Sequence, residues 1–387
     1  MKLAVIVDTF PRWSERFIAR ECGELVRRGV DLRIFCLRAG TLPDGGENDA
    51  DFAGLLERRI ELPRCIMPRA LNGDGEDAEL RRRRDLAKKE LGLTAYAKVQ
   101  CAKTLADLLA EGKFTQVHAH FANLPSTIAW LAAHTARLPL TLSVHARDLF
   151  VEAQLLDAKI ADCKRVFTCH ARAQEFLVAM NPHAAKKIVL MRHGLPLEHY
   201  SFEQREPAQT PQILAAGRFV PKKGFETLLA AVADPRLRER SFRLILLGEG
   251  QLEKKLKAQI ERKQLGSKVM LHGPVSGEPL KNLFRHSSLF LAPYETASDG
   301  DSDGVPNTIL EAFALGLPVV GTAAGSLREV LTPETGTVVA EKNPAELAAA
   351  IAGFLDDAAV YGEKTRAARK LIEKDYDLSK NIAPLLK

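Results

Sequence analysis

Short runs of apolar, mostly β-branched residues alternate with longer amphipathic stretches along almost the whole chain. Apolar runs without polar alternation are typical of strands buried on both faces, and helical stretches between them favour parallel connections. The pattern therefore predicts the α/β class with doubly wound, Rossmann-like parallel sheets. The predicted strands are residues 2–9, 31–37, 115–121, 140–145, 165–169, 187–194, 212–218, 242–250, 269–273, 288–294, 317–322 and 336–340.

A polar segment with two prolines, residues 201–211, interrupts this alternation and predicts a linker. We expect one Rossmann-like domain over residues 1–205 and a second over 206–365, facing each other across a cleft. C-terminal helices over 366–387 are expected to pack back on the first domain. Residues 38–78, rich in Gly, Asp and Pro, are predicted to form one long irregular connection.

Composition agrees with a globular protein, since 46% of the 387 residues are hydrophobic and 27% are charged. The first residues lack the apolar core of a signal peptide, and no uncharged apolar run reaches the roughly 18 residues of a membrane span. We therefore expect a cytoplasmic protein. Six scattered cysteines predict reduced thiols and no zinc site.

The net charge of +6 is mild, but basic residues concentrate in RRRRDLAKKE, residues 81–90. This stretch begins a predicted long helix that reaches to about Ala110. A solvated helix face, a patch for anionic lipid headgroups and a nucleic-acid patch all fit such a charge run. Because no aromatic platform accompanies the charge, we expect no nucleic-acid partner and keep the anionic membrane surface as a hypothesis.

The stretch DGDSDGVPNTILEAFALGLPVVG, residues 299–321, opens like a calcium loop. Its carboxylates stand at every second position and a glycine closes the series: Asp299, Asp301, Asp303, Gly304. A calcium loop needs a glutamate at position twelve, which is Leu310 here. Glu311 comes one residue late, and one helical residue turns a side chain by about 100°. We therefore expect no metal and assign Asp301 to a solvated loop.

The segment GRFVPKKG, residues 217–224, lies at the carboxyl end of a predicted strand, where open parallel sheets bind ligands. Arg218 and Lys223 can there contact phosphate oxygens. A further helix is predicted to begin at residues 305–307 with a proline, which leaves backbone N–H groups that suit a phosphate. Glu311, farther along this helix, can accept hydrogen bonds from the two vicinal hydroxyls of a ribose.

These features resemble the retaining GT-B glycosyltransferases of family 4. The stretch DGVPNTILEAFALGLPVV, residues 303–320, is similar to the family signature EGxPxxxxEAxAxGxPVV. GRFVPKKGFETLLAA, residues 217–231, resembles GRLxxxKGxxxLIxA. FPRWSERFI, residues 10–18, resembles the FPxxSETFI of the exopolysaccharide and colanic-acid type. The chain departs from the pattern where Asp303 replaces a glutamate, Arg16 a small hydroxyl residue and His193 an asparagine.

The resemblance implies retaining hexosyl transfer, without a cofactor, from a UDP- or GDP-sugar to a saccharide or lipid-linked saccharide in surface polysaccharide biosynthesis. It implies that Arg218 and Lys223 neutralise the diphosphate, that Glu311 holds the ribose, and that Asp303 contacts the sugar. The implied donor-binding residues are Arg218, Lys223, Gly304, Val305, Pro306, Asn307 and Glu311.

In the first domain, His145 ends a predicted strand within SVHARD. The resemblance implies that His145 and Asp303 are the catalytic residues. The candidates for contact with the acceptor or the sugar are Ser14, Arg16, Arg147 and Asp148. His118 and His120 are weaker candidates. Strand alternation places both on one face of a buried strand, which favours a packing role.

Three other functions remain open to test. A nucleotide-sugar epimerase would use the same fold without an acceptor, and a homologue with a weakened site would bind without catalysis. A nicotinamide-dependent dehydrogenase should show G-x-G-x-x-G at the start of a helix. The chain offers only GEGQLE, residues 248–253, in which Glu253 stands in place of the third glycine.

Overall fold

The computed structural model describes residues 1–42, 49–62, 77–204 and 208–387, and of residues 93–98 it describes the backbone alone. These residues form two compact α/β units, each built on its own parallel sheet. The described part of the first unit is residues 1–42, 51–62, 77–192 and 384–387. The second unit contains residues 49–50, 193–204 and 208–383.

The sheet of the first unit has seven parallel strands in the order β3-β2-β1-β4-β5-β6-β7. Residues Leu3–Val7, in an interior strand of this sheet, are almost inaccessible to solvent, because helices cover both faces of a parallel sheet. The strands are β1 Lys2–Phe10, β2 Asp31–Ala39, β3 Arg59–Glu61, β4 Gln116–His120, β5 Leu140–Val144, β6 Arg165–Thr168 and β7 Ile188–Leu190.

The described part of the first unit contains seven α-helices. They are α1 Arg16–Arg27, α2 Ala78–Val99, α3 Cys101–Glu111, α4 Leu124–Thr135, α5 Ala146–Phe150, α6 Leu156–Asp162 and α7 Ala171–Met180. The prediction of one long helix to about Ala110 is wrong. Gly92 interrupts α2 with φ 69° and ψ 169°, a backbone conformation that glycine adopts without steric cost, and α3 begins only at Cys101.

The sheet of the second unit has six parallel strands in the order β10-β9-β8-β11-β12-β13. These strands are β8 Gln212–Ala216, β9 Arg243–Leu247, β10 Val269–His272, β11 Leu289–Ala292, β12 Val319–Thr322 and β13 Thr337–Val339. Its helices are α8 Phe225–Val232, α9 Pro235–Arg238, α10 Glu253–Arg262, α11 Gly277–His286, α12 Asn307–Ala314, α13 Pro344–Asp356, α14 Tyr361–Asp375 and α15 Leu378–Asn381.

Alternation along β8 divides the core of the second unit into two layers. Ile213 and Ala215 pack with residues of α8, α10 and α13 on one face. Leu214 and Ala216 pack with residues of α11, α12 and α14 on the other face. Both faces of the strand are therefore apolar, which explains why its sequence shows no polar alternation.

The predicted fold class is confirmed, and each of the twelve predicted strands is present. One further strand, β3, pairs with β2 inside the segment predicted to be irregular. It has only three residues and lies at a sheet edge, so it has too few positions for a hydrophobic period to show. Residues 63–76 of the same segment lie outside the described residues.

The boundary between the two compact units lies between Arg192 and His193, earlier in the chain than the domain boundary predicted at residue 205. Residue 205 itself lies outside the described residues. Backbone pairing with the C-terminal segment explains the earlier boundary. The N–H of Leu195 donates to Tyr376 O at 2.8 Å, and the N–H of Leu378 donates to Leu195 O at 3.1 Å. This pairing attaches the segment after β7 to the second unit.

The C-terminal residues are divided between the units. Helices α14 and α15 belong to the second unit, whereas residues 384–387 belong to the first. There Arg165 Nη1 donates to Pro384 O at 2.9 Å. No helix in the described part of the chain combines the length and the apolar character needed to cross a membrane.

Candidate active site at the carboxyl edge of the second sheet

Two loops of the second unit meet because the strands before them are neighbours. Strands β8 and β11 pair in parallel, with Ile213 opposite Leu289 and Leu214 opposite Phe290. Parallel neighbours end at the same sheet edge, so the turn Pro221–Lys223 after β8 lies beside the loop after β11. The strand order reverses between these two strands, which is where open α/β sheets bind ligands.

Four charged side chains from these two loops form a buried ion-pair network, here called the Lys–Asp cluster: Lys222, Lys223, Asp301 and Asp303. Lys222 Nζ lies 2.9 Å from Asp301 Oδ1 and 3.2 Å from Asp303 Oδ1. Lys223 Nζ lies 2.6 Å from Asp303 Oδ2. The two oxygens of Asp303 thus have different partners, and the four formal charges sum to zero.

Burial and pairing act in opposite directions on the pKa values of this cluster. Burial raises the pKa of Asp303, but the ammonium groups of Lys223 and Lys222 outweigh burial and hold that pKa below its usual range. Burial lowers the pKa of Lys223, yet the carboxylate of Asp303 keeps it raised. The Lys223 ammonium also lies 4.0 Å from the centroid of the Tyr294 ring, a cation–π contact. Both partners are therefore ionised at neutral pH.

Two glycines let the backbone pass close to the cluster. Gly224 follows the lysines with φ 62°, and a Cβ there would lie 1.7 Å from Pro293 O. Gly325 has φ 56°, and a Cβ there would lie 2.1 Å from Asp303 O. The next residue, Ser326, donates its N–H to Asp303 O at 3.1 Å. Both loops are therefore held at the backbone as well as through their side chains.

Helix α12 begins directly after the aspartates, with Pro306 as its N-cap. Among the described residues, the backbone N–H groups of Gly304, Val305, Asn307 and Thr308 have no acceptor. Such a helix start attracts anions. The guanidinium of Arg218 is exposed and has no hydrogen-bonding partner in the described chain. The positive charge of Arg218 lowers the pKa of Lys223, which shows that the guanidinium lies near the Lys–Asp cluster.

Glu311 is buried one turn into α12 and accepts a hydrogen bond from Tyr200 OH at 3.3 Å. The backbone carbonyl of Tyr200 in turn accepts from Arg369 Nη1 at 2.7 Å, and the same nitrogen donates to Ala314 O at 2.7 Å. Tyr200 thus fixes the carboxylate predicted to hold the ribose. The structure places all the predicted donor-binding residues in segments that follow β8 or β11; their roles stay predictions.

The assignment of Asp301 to a solvated loop is wrong. Asp301 is only 6% exposed and pairs with Lys222. Sequence analysis also missed Lys222, whose signal was the doubled lysine in a loop after one strand and the repeated aspartates in a loop after its neighbour. Asp299 accepts a hydrogen bond from the N–H of Asp301 at 3.0 Å. The other two carboxylates that resembled a calcium loop, Asp301 and Asp303, are paired with lysines.

In the first unit, Asp148 fixes the backbone around the predicted catalytic histidine. Its carboxylate accepts from the N–H of Ala122 at 2.6 Å and from the N–H of His145 at 2.9 Å. Burial raises the pKa of Asp148 to about 7. The His145 ring packs against Phe17 and Phe121, with ring centroids 4.8 and 4.5 Å away. These contacts hold His145 at the end of β5; its catalytic role stays a prediction.

Lys159 supports the same region and was missed by sequence analysis, since it is one lysine within an amphipathic helix. Its fully buried Nζ donates to Ser126 Oγ at 2.8 Å and to Asn123 O at 3.2 Å. Burial lowers the pKa of Lys159 to about 7. Asp148 and Lys159 therefore bind successive residues of the turn after β4.

The remaining first-unit candidates have different surroundings. Arg16 is buried and pairs with Asp51, the two atoms Nη2 and Oδ2 lying 2.6 Å apart. Burial opposes ionisation of Asp51, but Arg20 and Arg16 lower its pKa to about 2. Ser14 is exposed, and the exposed Arg147 pairs with Glu152 at 2.6 Å.

The two strand histidines lie on one face of β4, with ring centroids 4.7 Å apart. His118 makes hydrogen bonds to Thr141 Oγ1 at 2.9 Å and Ser143 Oγ at 3.2 Å, and burial lowers its pKa to about 3. It is therefore neutral at physiological pH and bonded through both ring nitrogens. His120 Nε2 lies 3.9 Å from Glu21 Oε2.

Residues 198–375, which contain the Lys–Asp cluster and α12, match the family described as glycosyl transferases group 1. The chain carries a group 1 glycosyltransferase domain. It is 29% identical over 207 residues to the putative colanic acid biosynthesis glycosyltransferase WcaL of Escherichia coli, covering 52% of this chain and 51% of WcaL. It is 32% identical over 179 residues to the amylovoran biosynthesis glycosyltransferase AmsK of Erwinia amylovora, covering 46% and 44%. The matches span about half the length of these curated relatives.

Solved structures match the whole chain. Anabaena HepE in complex with UDP-glucose matches with a TM-score of 0.72 at 17% identity, covering 100% of this chain and 99% of HepE. WaaG, a glycosyltransferase of lipopolysaccharide biosynthesis, matches with a TM-score of 0.66 at 15% identity and 100% coverage of both chains. The fold is that of the GT-B glycosyltransferases, as the sequence resemblance implied.

We predict that Gly224→Ala destabilises the glycosyltransferase domain by about 2 kcal/mol or more, because the added methyl group meets Pro293 O in a backbone conformation that alanine disfavours. Urea unfolding measures the change. Gly353→Ala is the matched control: it lies in helix α13 with nothing within 4 Å of the new Cβ and should stabilise by about 0.5–1 kcal/mol. Equal effects of the two substitutions would contradict the packing around Gly224.

A second prediction concerns the acid dependence of folding. The pKa of Asp303 is lowered in the folded state, so its contribution is complete above its unfolded pKa of about 4 and is lost as the pH falls through the folded value. The difference in free energy of unfolding between the wild type and Asp303→Asn should therefore shrink as the pH falls from 6 toward 3. A difference that stays constant over this range would show that Asp303 is not held ionised.

Proposed function

We propose that the protein is a retaining hexosyltransferase that moves a sugar from a UDP- or GDP-sugar to a saccharide or lipid-linked saccharide in surface polysaccharide biosynthesis, acting in the cytoplasm. One observation carries this proposal. The exposed guanidinium of Arg218, the ammonium of Lys223 and the open N–H groups of α12 occur together where the strand order of the second sheet reverses. The group 1 domain and the names of WcaL and AmsK support the reaction class, and the UDP-glucose bound to HepE supports the donor class.

Departure of a nucleoside diphosphate concentrates negative charge on its leaving phosphate. Fixed cations and helix N–H groups stabilise such charge without reorganising during the reaction. We assign this role to Arg218, Lys223 and the start of α12, with Glu311 accepting from the ribose hydroxyls. The diphosphate must then compete with Asp303 for Lys223, because the two side chains are paired in the donor-free protein.

The sugar and the acceptor are assigned to the remaining predicted residues. Asp303 is proposed to accept hydrogen bonds from sugar hydroxyls, and His145 of the first unit to contact the transferred sugar. Retention requires the acceptor hydroxyl to attack from the face that the diphosphate leaves. Ser14, Arg147 and Asp148 remain candidates for the acceptor side, with Asp148 acting through the backbone of His145. Arg16, although paired with Asp51, keeps the same proposed assignment.

We predict that Arg218→Ala and Lys223→Ala each weaken nucleotide-sugar binding at least tenfold, since a hydrogen bond to a charged group contributes about 1.5–3 kcal/mol. Isothermal titration calorimetry with a panel of UDP-, GDP- and ADP-sugars measures the affinities. Arg262→Ala removes an exposed arginine from α10 and is the matched control with unchanged affinity. Unchanged affinity in both site variants would reject the phosphate assignment.

The same panel separates the alternative functions. A transferase consumes the donor only when an acceptor is present, apart from slow hydrolysis. An epimerase converts the nucleotide sugar without any acceptor, and a binding-only homologue leaves it intact. A wild-type protein that binds none of these nucleotide sugars would overturn the proposal.

The proposed lipid-linked acceptor motivates a membrane-facing surface on the first unit. Helix α2 exposes four basic side chains: Arg81, Arg82, Lys88 and Lys89. Leu86 on its flank lines a groove of about 410 Å³ together with Phe176 and Met180 of α7, which are 37% and 52% exposed. Basic residues beside exposed apolar side chains are typical of surfaces that bind the interface of an anionic membrane.

We predict that changing the four basic residues of α2 to glutamine weakens binding to anionic vesicles, because each basic residue near such a surface contributes about 1 kcal/mol. Co-sedimentation with phosphatidylglycerol-containing and purely zwitterionic vesicles measures the effect. The control changes four basic residues of α10 to glutamine: Lys254, Lys255, Lys257 and Arg262. Equal losses in both variants would show that net charge alone, and not the α2 surface, governs binding.

A further inference from the structure

The Lys–Asp cluster is asymmetric. Lys223 contacts one oxygen of Asp303, whereas Lys222 contacts the other oxygen and also Asp301. All four side chains are largely shielded from solvent. Lys222 is therefore anchored on one side by Asp301 and bound on its other side to Asp303.

This asymmetry matters once a donor binds. In the proposed function, which this inference rests on, Lys223 contacts the diphosphate and so shares its charge with a second anion. A buried carboxylate that loses its compensating cation either protonates or moves. Asp303 would then be unable to accept hydrogen bonds from the sugar, unless another cation compensates its charge.

Lys222 meets this need by its position. Its Nζ is 3.2 Å from the Asp303 oxygen that Lys223 does not contact, so it does not have to release Asp303 when Lys223 turns to phosphate. Asp301, 2.9 Å from the same Nζ, accepts from the Lys222 ammonium and keeps it in place. Asp303 is also one methylene shorter than the glutamate of the motif that it resembles, and Lys222 lies where this shorter side chain reaches.

We propose that Lys222 and Asp301 are positioning residues that keep Asp303 ionised and oriented toward the donor sugar while Lys223 binds the diphosphate. Lys223 exchanges between Asp303 and phosphate, and Lys222 remains with Asp303 throughout. The two adjacent lysines of PKKG thus have separate tasks. One compensates the carboxylate that contacts the sugar, and the other binds the leaving group.

Lys222→Met tests this division, because methionine approximates the length of the lysine side chain but carries no charge. Arg218 and Lys223 remain, so the affinity for UDP or GDP, whichever the wild type binds, should change by less than about threefold. The kcat for the matching nucleotide sugar should fall at least tenfold with little change in KM, as for a contact made in the transition state. A tenfold loss of kcat corresponds to roughly 1.4 kcal/mol of activation free energy. Lys222→Arg, which restores the charge, should recover part of the kcat.

The pH profile provides a readout that a purely structural role would not change. Removing Lys222 removes one of the cations that lower the pKa of Asp303. The acid limb of the kcat profile should therefore move to higher pH in Lys222→Met and return toward the wild-type position in Lys222→Arg. Asp301→Asn, which keeps the side-chain shape but removes the charge that holds Lys222, should lower kcat by a smaller amount than Lys222→Met.

A donor-free double-mutant cycle between Lys222→Met and Asp303→Asn separates failure of this inference from failure of the proposed function. Free energies of unfolding that add within error would overturn the inference, whatever reaction the protein catalyses. Non-additive values in a wild type that consumes no nucleotide sugar would overturn the proposed function and the positioning role with it. Non-additive values with an active wild type and unchanged kcat in folded Lys222→Met or Asp301→Asn would overturn the positioning role alone.

Discussion

Lys222 and Lys223 lie in a nearly buried site, where Asp301 and Asp303 compensate their charge from within hydrogen-bonding distance. This compensation ties the loop after β8 to the loop after β11 at the edge where the strand order reverses. The glycines at 224 and 325 follow from the same constraint, since the two backbones must approach closely for the side chains to meet. The cluster is thus a preformed, electrically neutral part of the site.

Because the cluster has no net charge, the positive potential at this sheet edge comes from the groups around it. The exposed guanidinium of Arg218 and the open N–H groups at the start of α12 remain available to an incoming anion. Glu311, fixed by Tyr200, adds an acceptor farther along the same helix. This edge therefore combines hydrogen-bond donors with a hydrogen-bond acceptor, and the proposed nucleotide-sugar donor has phosphate and hydroxyl groups to match them.

At the carboxyl edge of the first sheet, burial and ion pairing also act on charged side chains, but burial has the larger effect there. Asp148 and Lys159 bind backbone and hydroxyl groups, and no direct ion pair joins them among the contacts of the described residues. Burial then dominates and moves both pKa values to about 7. In the second unit, direct pairing outweighs burial and keeps Asp303 and Lys223 charged. Contact with an opposite charge decides which of these outcomes a buried group reaches.

The sequence by itself determined the parallel α/β class. Buried strands such as β1 and β8 have apolar residues on both faces, so each appears in the sequence as a continuous apolar run. It also placed Arg218 and Lys223 after the carboxyl end of one strand and Glu311 in the helix that follows another. It did not reveal β3, which is too short to show a hydrophobic period, nor the interruption of α2 at Gly92. Only the tertiary structure decided that Lys222 and Asp301 are buried partners. They lie 79 residues apart in the chain, and strand order in the sheet, which no local pattern encodes, brings them to 2.9 Å.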